Sequence, residues 1–149
     1  MEQTRQQTKR QTHPINQKKI LEVAFWGTVI WGIIRMMFAY FSFTPYGVEK
    51  FSRPFYGPVG EDSYKGIFVG FLFLFVCVYL ATAIFAFMLS ERKNWSLGIV
   101  YGIALFLVFG LFFRMQHWKL DTFSTELAWF ISIGVFIGMS MTAEQIDQE

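Results

Sequence analysis

Four long apolar runs dominate the sequence and limit what the chain can fold into. Each is close to the length of about 20 residues that a helix needs to cross the hydrocarbon of a bilayer. None alternates apolar and polar residues at every second position, as a barrel strand would. The runs cover residues 20–43, 66–89, 97–115 and 123–142. The sequence therefore predicts an all-α integral membrane protein with four transmembrane helices.

The charged residues, only 16% of the chain, collect beside these runs and predict the domain limits. This fraction of charged residues is below the roughly 25% that is typical of a soluble domain. We expect a polar, basic and flexible tail over residues 1–19, a transmembrane domain over 20–143, and a short acidic end over 144–149. Lysine and arginine are most numerous in the tail and in the gap between the second and third runs. The positive-inside rule then places both termini in the cytoplasm.

Residues 44–65 form the longest connection, and we expect them outside the cell. Pro45, Pro54 and Pro58 exclude a long helix there. Phe51 and nearby aromatic residues argue against a loop dissolved only in water. Two interpretations remain open, an ordered cap folded onto the ends of the helices and a floppy aromatic loop lying on the headgroups.

Small residues four positions apart let membrane helices approach closely. Three such glycine pairs occur: Gly66 with Gly70, Gly98 with Gly102, and Gly134 with Gly138. The last two pairs fall at similar depth in the third and fourth runs, which predicts a close contact between those helices at the cytoplasmic end. The pairs serve either packing within one chain or a homodimer face.

Arg35 lies inside the first apolar run, where an unpaired charge is costly. One interpretation is an arginine that snorkels to the headgroups. The other is an inward arginine that forms a bidentate pair with Glu126, joined by Arg114, Thr125 and Tyr40. Arg35, Arg114 and Glu126 would then form an intramembrane charge cluster, and its positive excess could hold an anionic group such as a lipid phosphate.

No set of residues in the sequence suggests catalysis, a cofactor or a metal site. The single cysteine, Cys77, excludes a disulfide within the chain. His13 and His117 do not belong to a cluster with metal-ligand spacing, and His117 beside Trp118 is typical of a membrane interface. The small net charge of +2 does not favour nucleic acid as a partner.

The order of several short segments resembles one known family. These segments include "EVAFWGTVIWG", "AYFSFTP", "WSLGIVYGIALFLVFGL" and "GVFIGMSMTAE". Over residues 20–144 they are similar to the YqhR family of conserved integral membrane proteins from Bacillus and related bacteria. The resemblance implies four helices in the plasma membrane of a Gram-positive bacterium. It implies no assigned activity and no catalytic residues.

Two functional hypotheses follow. The first is a non-enzymatic membrane protein that acts by association, as a scaffold or accessory subunit, with the bilayer and a second copy or another membrane protein as partners. The second is a small dimeric transporter, or a lipid- or anion-binding protein, that uses the outer charges Arg35, Arg114 and Glu126.

Overall fold

The computed structural model describes residues 16–60, 62–88 and 94–147 as a bundle of helices. The predictions for most of the basic tail, for the basic gap at Arg92 and Lys93, and for the last two residues lie outside the described residues. The helices are α1 (Gln17–Tyr40), α2 (Arg53–Gly60), α3 (Tyr64–Met88), α4 (Leu97–Phe112) and α5 (Leu120–Asp147), with short 3₁₀ helices at Val48–Ser52 and Met115–His117.

Three of these helices, α1, α3 and α5, are long and apolar enough to cross a membrane. The predicted third span is shorter than expected, because α4 ends at Phe112 and has only 16 residues. At 1.5 Å per residue, α4 is roughly 24 Å long, less than the hydrocarbon thickness of about 30 Å. Arg114 ends this run by adopting a left-handed conformation with φ of 54°.

The beginning of α1 and the last turns of α5 lie at the same end of the bundle. The side-chain amide of Asn16 donates a hydrogen bond of 3.3 Å to Glu144 Oε1. We call this end the terminal end. The opposite end carries residues 41–60, which we call the cap, and is the cap end.

The cap is ordered and packs against the helices, so the hypothesis of a floppy loop is wrong. Val48 and Ser52 are fully buried, and Phe51 is nearly so. A Cβ added at Gly70 of α3 would collide with the Val48 carbonyl oxygen, so this glycine lets the cap lie against α3. The kink in α2 falls at Gly57, where φ is 67°, in line with the expected absence of a long helix.

The glycine pairs of α4 and α5 face one another within the chain, near the terminal end. A Cβ added at Gly98 would lie 2.5 Å from the Gly134 carbonyl oxygen, and one added at Gly102 would lie 2.5 Å from the Phe130 carbonyl oxygen. A Cβ added at Gly138 would lie 2.9 Å from the Gly98 Cα atom. The predicted contact is therefore confirmed as packing within one chain, and these glycines are covered rather than free for a homodimer face.

The first pair, Gly66 and Gly70, lies at the cap end and is also buried. The Gly66 N–H donates to Ser63 Oγ at 3.1 Å, which satisfies one of the free amides at the start of α3. Along the rest of the bundle, α3 packs against α1, α4 packs against α5, and α1 also contacts α5. These contacts make two helix pairs joined through α1 and α5.

Candidate functional site: a buried ion pair beside an apolar cleft

Arg35 and Glu126 form an ion pair in the interior of the bundle. Arg35 Nη2 lies 2.7 Å from Glu126 Oε2, and each side chain is only 1% exposed. The pair joins α1 to α5 where these helices pack together. The inward interpretation of Arg35 is therefore confirmed, and the snorkelling interpretation is wrong.

The second carboxylate oxygen of Glu126 binds the cap. The Thr44 hydroxyl donates to Glu126 Oε1 at 2.6 Å and accepts the Tyr46 backbone N–H at 3.1 Å. The expected bidentate geometry is therefore wrong, because Arg35 and Thr44 take one oxygen each. Glu126 thus connects α1, the cap and α5.

The other predicted partners are not in this network. Arg114 and Tyr40 are exposed, and Thr125 is only half-buried. Among the described residues, no hydrogen bond or ion pair joins any of the three to Arg35 or Glu126. The predicted positive excess is therefore missing, because one arginine faces one glutamate.

Three aromatic rings surround the Arg35 guanidinium. Its central carbon lies 4.5 Å from the Trp129 ring centroid, 5.1 Å from that of Phe109 and 5.2 Å from that of Phe51. These residues, which we call the aromatic box, come from α5, α4 and the cap. Arg35 Nε has no hydrogen-bond partner within the described part of the chain. Burial of this unpartnered N–H group costs free energy. Cation–π attraction to the three rings, worth about 2 kcal/mol or more when desolvated, offsets part of that cost.

Two tryptophans fix the α1–α5 contact beside the box. Trp129 Nε1 donates to the Trp31 carbonyl oxygen at 3.0 Å, and Trp31 Nε1 donates to Ser132 Oγ at 2.8 Å. Both indole N–H groups thus have hydrogen-bond acceptors. These bonds hold the Trp129 ring in the orientation that faces Arg35.

An apolar cleft of about 280 Å³ lies between α3 and α4. Near the terminal end these helices touch, because the Tyr101 hydroxyl donates to the Ala81 carbonyl oxygen at 2.6 Å. The cleft occupies the space between them toward the cap end, with α5 as its floor. All three residues of the aromatic box line it, so the rings that enclose Arg35 are also a wall of the cleft.

A polar pocket, which we call the vestibule, lies at the cap end between the cap and the beginning of α5. Its volume is about 590 Å³. Thr44 lines it, so the vestibule lies next to the Glu126 network. Lys50 lines both the vestibule and the cleft. Sequence reasoning missed both cavities, because their walls come from segments far apart in the chain.

Long apolar helices, apolar side chains on the bundle surface and a charged pair enclosed within it are together typical of a polytopic membrane protein. The model of the family described as the conserved membrane protein YqhR matches residues 1–149. The chain belongs to this family, which confirms the resemblance seen in the sequence. Searches among curated proteins and among solved structures gave no match.

Proposed function

We propose that this protein is a non-enzymatic, multi-pass protein of the plasma membrane that acts by association, and that it binds the hydrocarbon chain of a lipid. The observation that carries the proposal is the cleft between α3 and α4. Its volume of about 280 Å³ lies near the lower end of small-molecule pockets, which span roughly 300–1,000 Å³. Its lining side chains are almost all apolar.

The cleft opens at the lipid-facing surface of the bundle. Val108 and Phe112 line it and are nevertheless 68% and 71% exposed. In a bilayer, the surroundings of such side chains are acyl chains. A lipid chain can therefore enter sideways between α3 and α4 without crossing a polar barrier.

In this proposal the Arg35–Glu126 ion pair, which we call the lock, has a structural role and does not bind a ligand. Arg35 and Glu126 neutralise each other and are enclosed, so neither offers charge to an anion or a transported ion. Their role is to hold the cap on α1 and α5. Phe51 of the cap then closes the cleft at the cap end.

Lipid retention in mild detergent tests this function, with two tryptophan substitutions on α4. Leu105 lines the cleft, and Leu107 is exposed outside it. Native mass spectrometry should find bound lipid on the unmodified protein and on Leu107→Trp, and much less on Leu105→Trp. Equal retention by all three proteins, or a stoichiometric protein subunit without lipid, would refute lipid binding; the second result would favour a scaffold role.

We also propose that the cap faces outward and that both termini lie in the cytoplasm. The excess of lysine and arginine in the tail and in the gap near Arg92 supports this orientation. Tyr64 at the cap end and Ile146 at the terminal end are both exposed. In a Cys77→Ala background, a membrane-impermeant thiol reagent added to intact cells should label Tyr64→Cys and spare Ile146→Cys. The opposite labelling would overturn the proposed orientation.

A further inference from the structure

We infer that the lipid in the cleft carries an anionic, phosphate-type headgroup, and that the vestibule binds this headgroup. The inference rests on the proposed function, because it names the kind of lipid that the cleft takes. Two cavities of opposite character adjoin at the cap end. One is apolar, and the other is lined by polar and charged side chains.

The charge of the vestibule favours an anion. Lys50 and Lys119 line it together with the imidazole of His117, against one carboxylate, Glu49. Lys50 also lies 3.6 Å from Asp62, whose side chain is 77% exposed. Because the Asp62 carboxylate is largely solvated, its attraction for Lys50 is weakened, and an ammonium group has three donors. A headgroup oxygen can therefore share Lys50 with its present partners.

Thr122 adds a hydroxyl group to the lining of the vestibule. A threonine hydroxyl donates one hydrogen bond, and a headgroup oxygen in the vestibule can accept it.

The two cavities lie side by side, which fits an amphiphile better than a free anion. Lys50 lines both cavities. The Tyr46 ring of the vestibule packs 5.0 Å from the ring of Phe113, which lines the cleft. A headgroup beside Lys50 would therefore have its chain next to the mouth of the cleft. Inorganic phosphate could use the vestibule but would leave the cleft without a role.

Competition between two lipids with identical chains tests the inference. The purified protein is placed in mixed micelles that contain equal amounts of phosphatidylglycerol and phosphatidylcholine, and native mass spectrometry measures the ratio of the two bound lipids. The unmodified protein should be enriched in phosphatidylglycerol. Lys50→Gln and Lys119→Gln should each lower this enrichment about fivefold. The attraction between one lysine and an anionic lipid changes the binding affinity by about this factor.

The control removes the same charge from the same end of the bundle. Lys65 is exposed at the start of α3 and does not line the vestibule, so Lys65→Gln should keep the enrichment. Thr122→Val should lower it as well. Bound lipid with no preference for phosphatidylglycerol would overturn the headgroup assignment and leave the chain-binding function standing. Absence of any bound lipid would instead refute the proposed function.

A further arm distinguishes a lipid from a free anion. Inorganic phosphate added to the micelles should neither appear as a bound adduct nor displace phosphatidylglycerol. A phosphate adduct that displaces the lipid, and that is lost in Lys50→Gln, would show a site for free anions and overturn the inference.

Discussion

Arg35 carries a charge in the cap-end half of α1, a helix whose other buried residues are small or apolar. A charge at the centre of a membrane helix costs at least about 2.5–3.5 kcal/mol on insertion scales. The structure offsets this cost with the carboxylate of Glu126 and the three rings of the aromatic box. Because these partners lie on different elements, the arginine side chain ties α1 to α5 and to the cap.

Breaking the ion pair should destabilise the protein more than removing it. Arg35→Ala or Glu126→Gln leaves one uncompensated buried group, so each should lower the free energy of unfolding by about 3–5 kcal/mol. Replacing both residues with apolar ones of similar size, Arg35→Met with Glu126→Leu, should restore much of that stability. Thermal unfolding in detergent measures all three variants. Unchanged single variants, or a double variant that loses the sum of both effects, would contradict the lock.

Thr44 should matter through its hydrogen bond to Glu126. Thr44→Val removes the hydroxyl while keeping the shape, and it leaves a carboxylate oxygen and the Tyr46 N–H without this partner. We expect a loss of about 1–3 kcal/mol, seen as a lower unfolding midpoint. Thr125→Val is the matched control, because Thr125 lies next to Glu126 in sequence but makes no side-chain hydrogen bond within the described residues. Equal effects of the two substitutions would rule out this role for Thr44.

At the scale of elements, α4 depends on α5 for its position. It is the shortest of the four apolar helices and packs mainly along the glycine face of α5. Backbone atoms lie directly opposite these glycines, so the contact cannot adapt by moving a flexible side chain. The close approach of α4 to α5 therefore depends on glycine at four positions: Gly98, Gly102, Gly134 and Gly138.

Adding one methyl group at Gly134 should force α4 away from α5. In Gly134→Ala the new Cβ would collide with the Gly98 carbonyl oxygen and the Gly102 backbone. Overpacking of this kind costs about 1–3 kcal/mol, measurable as a lower unfolding temperature. Ala128→Leu adds more volume at an exposed position of the same helix and should have little effect. A Gly134→Ala variant as stable as the unmodified protein would contradict the close packing.

The helices and their glycine contacts could be predicted from the sequence because both signals are local. Apolar run length gives a span, and two glycines four residues apart give a small face. The early end of α4 could not be predicted, since hydropathy continues through Phe113 while the backbone turns at Arg114. Thr44 was missed because only the folded cap brings it to Glu126, and Thr125 was the threonine expected there.

The aromatic box shows the same limit. Phe51, Phe109 and Trp129 are far apart in a chain rich in aromatic residues, so nothing marks these three before the helices are assembled. The pairing of Arg35 with Glu126 was predictable, because each is an isolated charge at similar depth in an apolar run. Charges are rare in such runs, and rarity made the pair identifiable.

The whole molecule is two helix pairs that part between α3 and α4. This opening is lined by the aromatic box, floored by α5 and closed at the cap end by a loop that the ion pair holds in place. In the proposed function, binding of a lipid chain depends on the lock, the glycine contacts and the cap together. Loss of the lock should lower lipid retention through movement of the cap.

Photo-crosslinking tests the lipid-binding function most directly. The protein is reconstituted with a phospholipid that carries a diazirine in its acyl chain, and the modified residues are mapped by mass spectrometry. We expect the highest yields on the cleft residues Phe73, Cys77 and Leu105, with the yields on Phe73 and Cys77 lost in Leu105→Trp. The exposed face of α3 at Leu72, Val76 and Leu80 should be modified less. Yields that follow surface exposure alone, and that do not change in Leu105→Trp, would contradict the account.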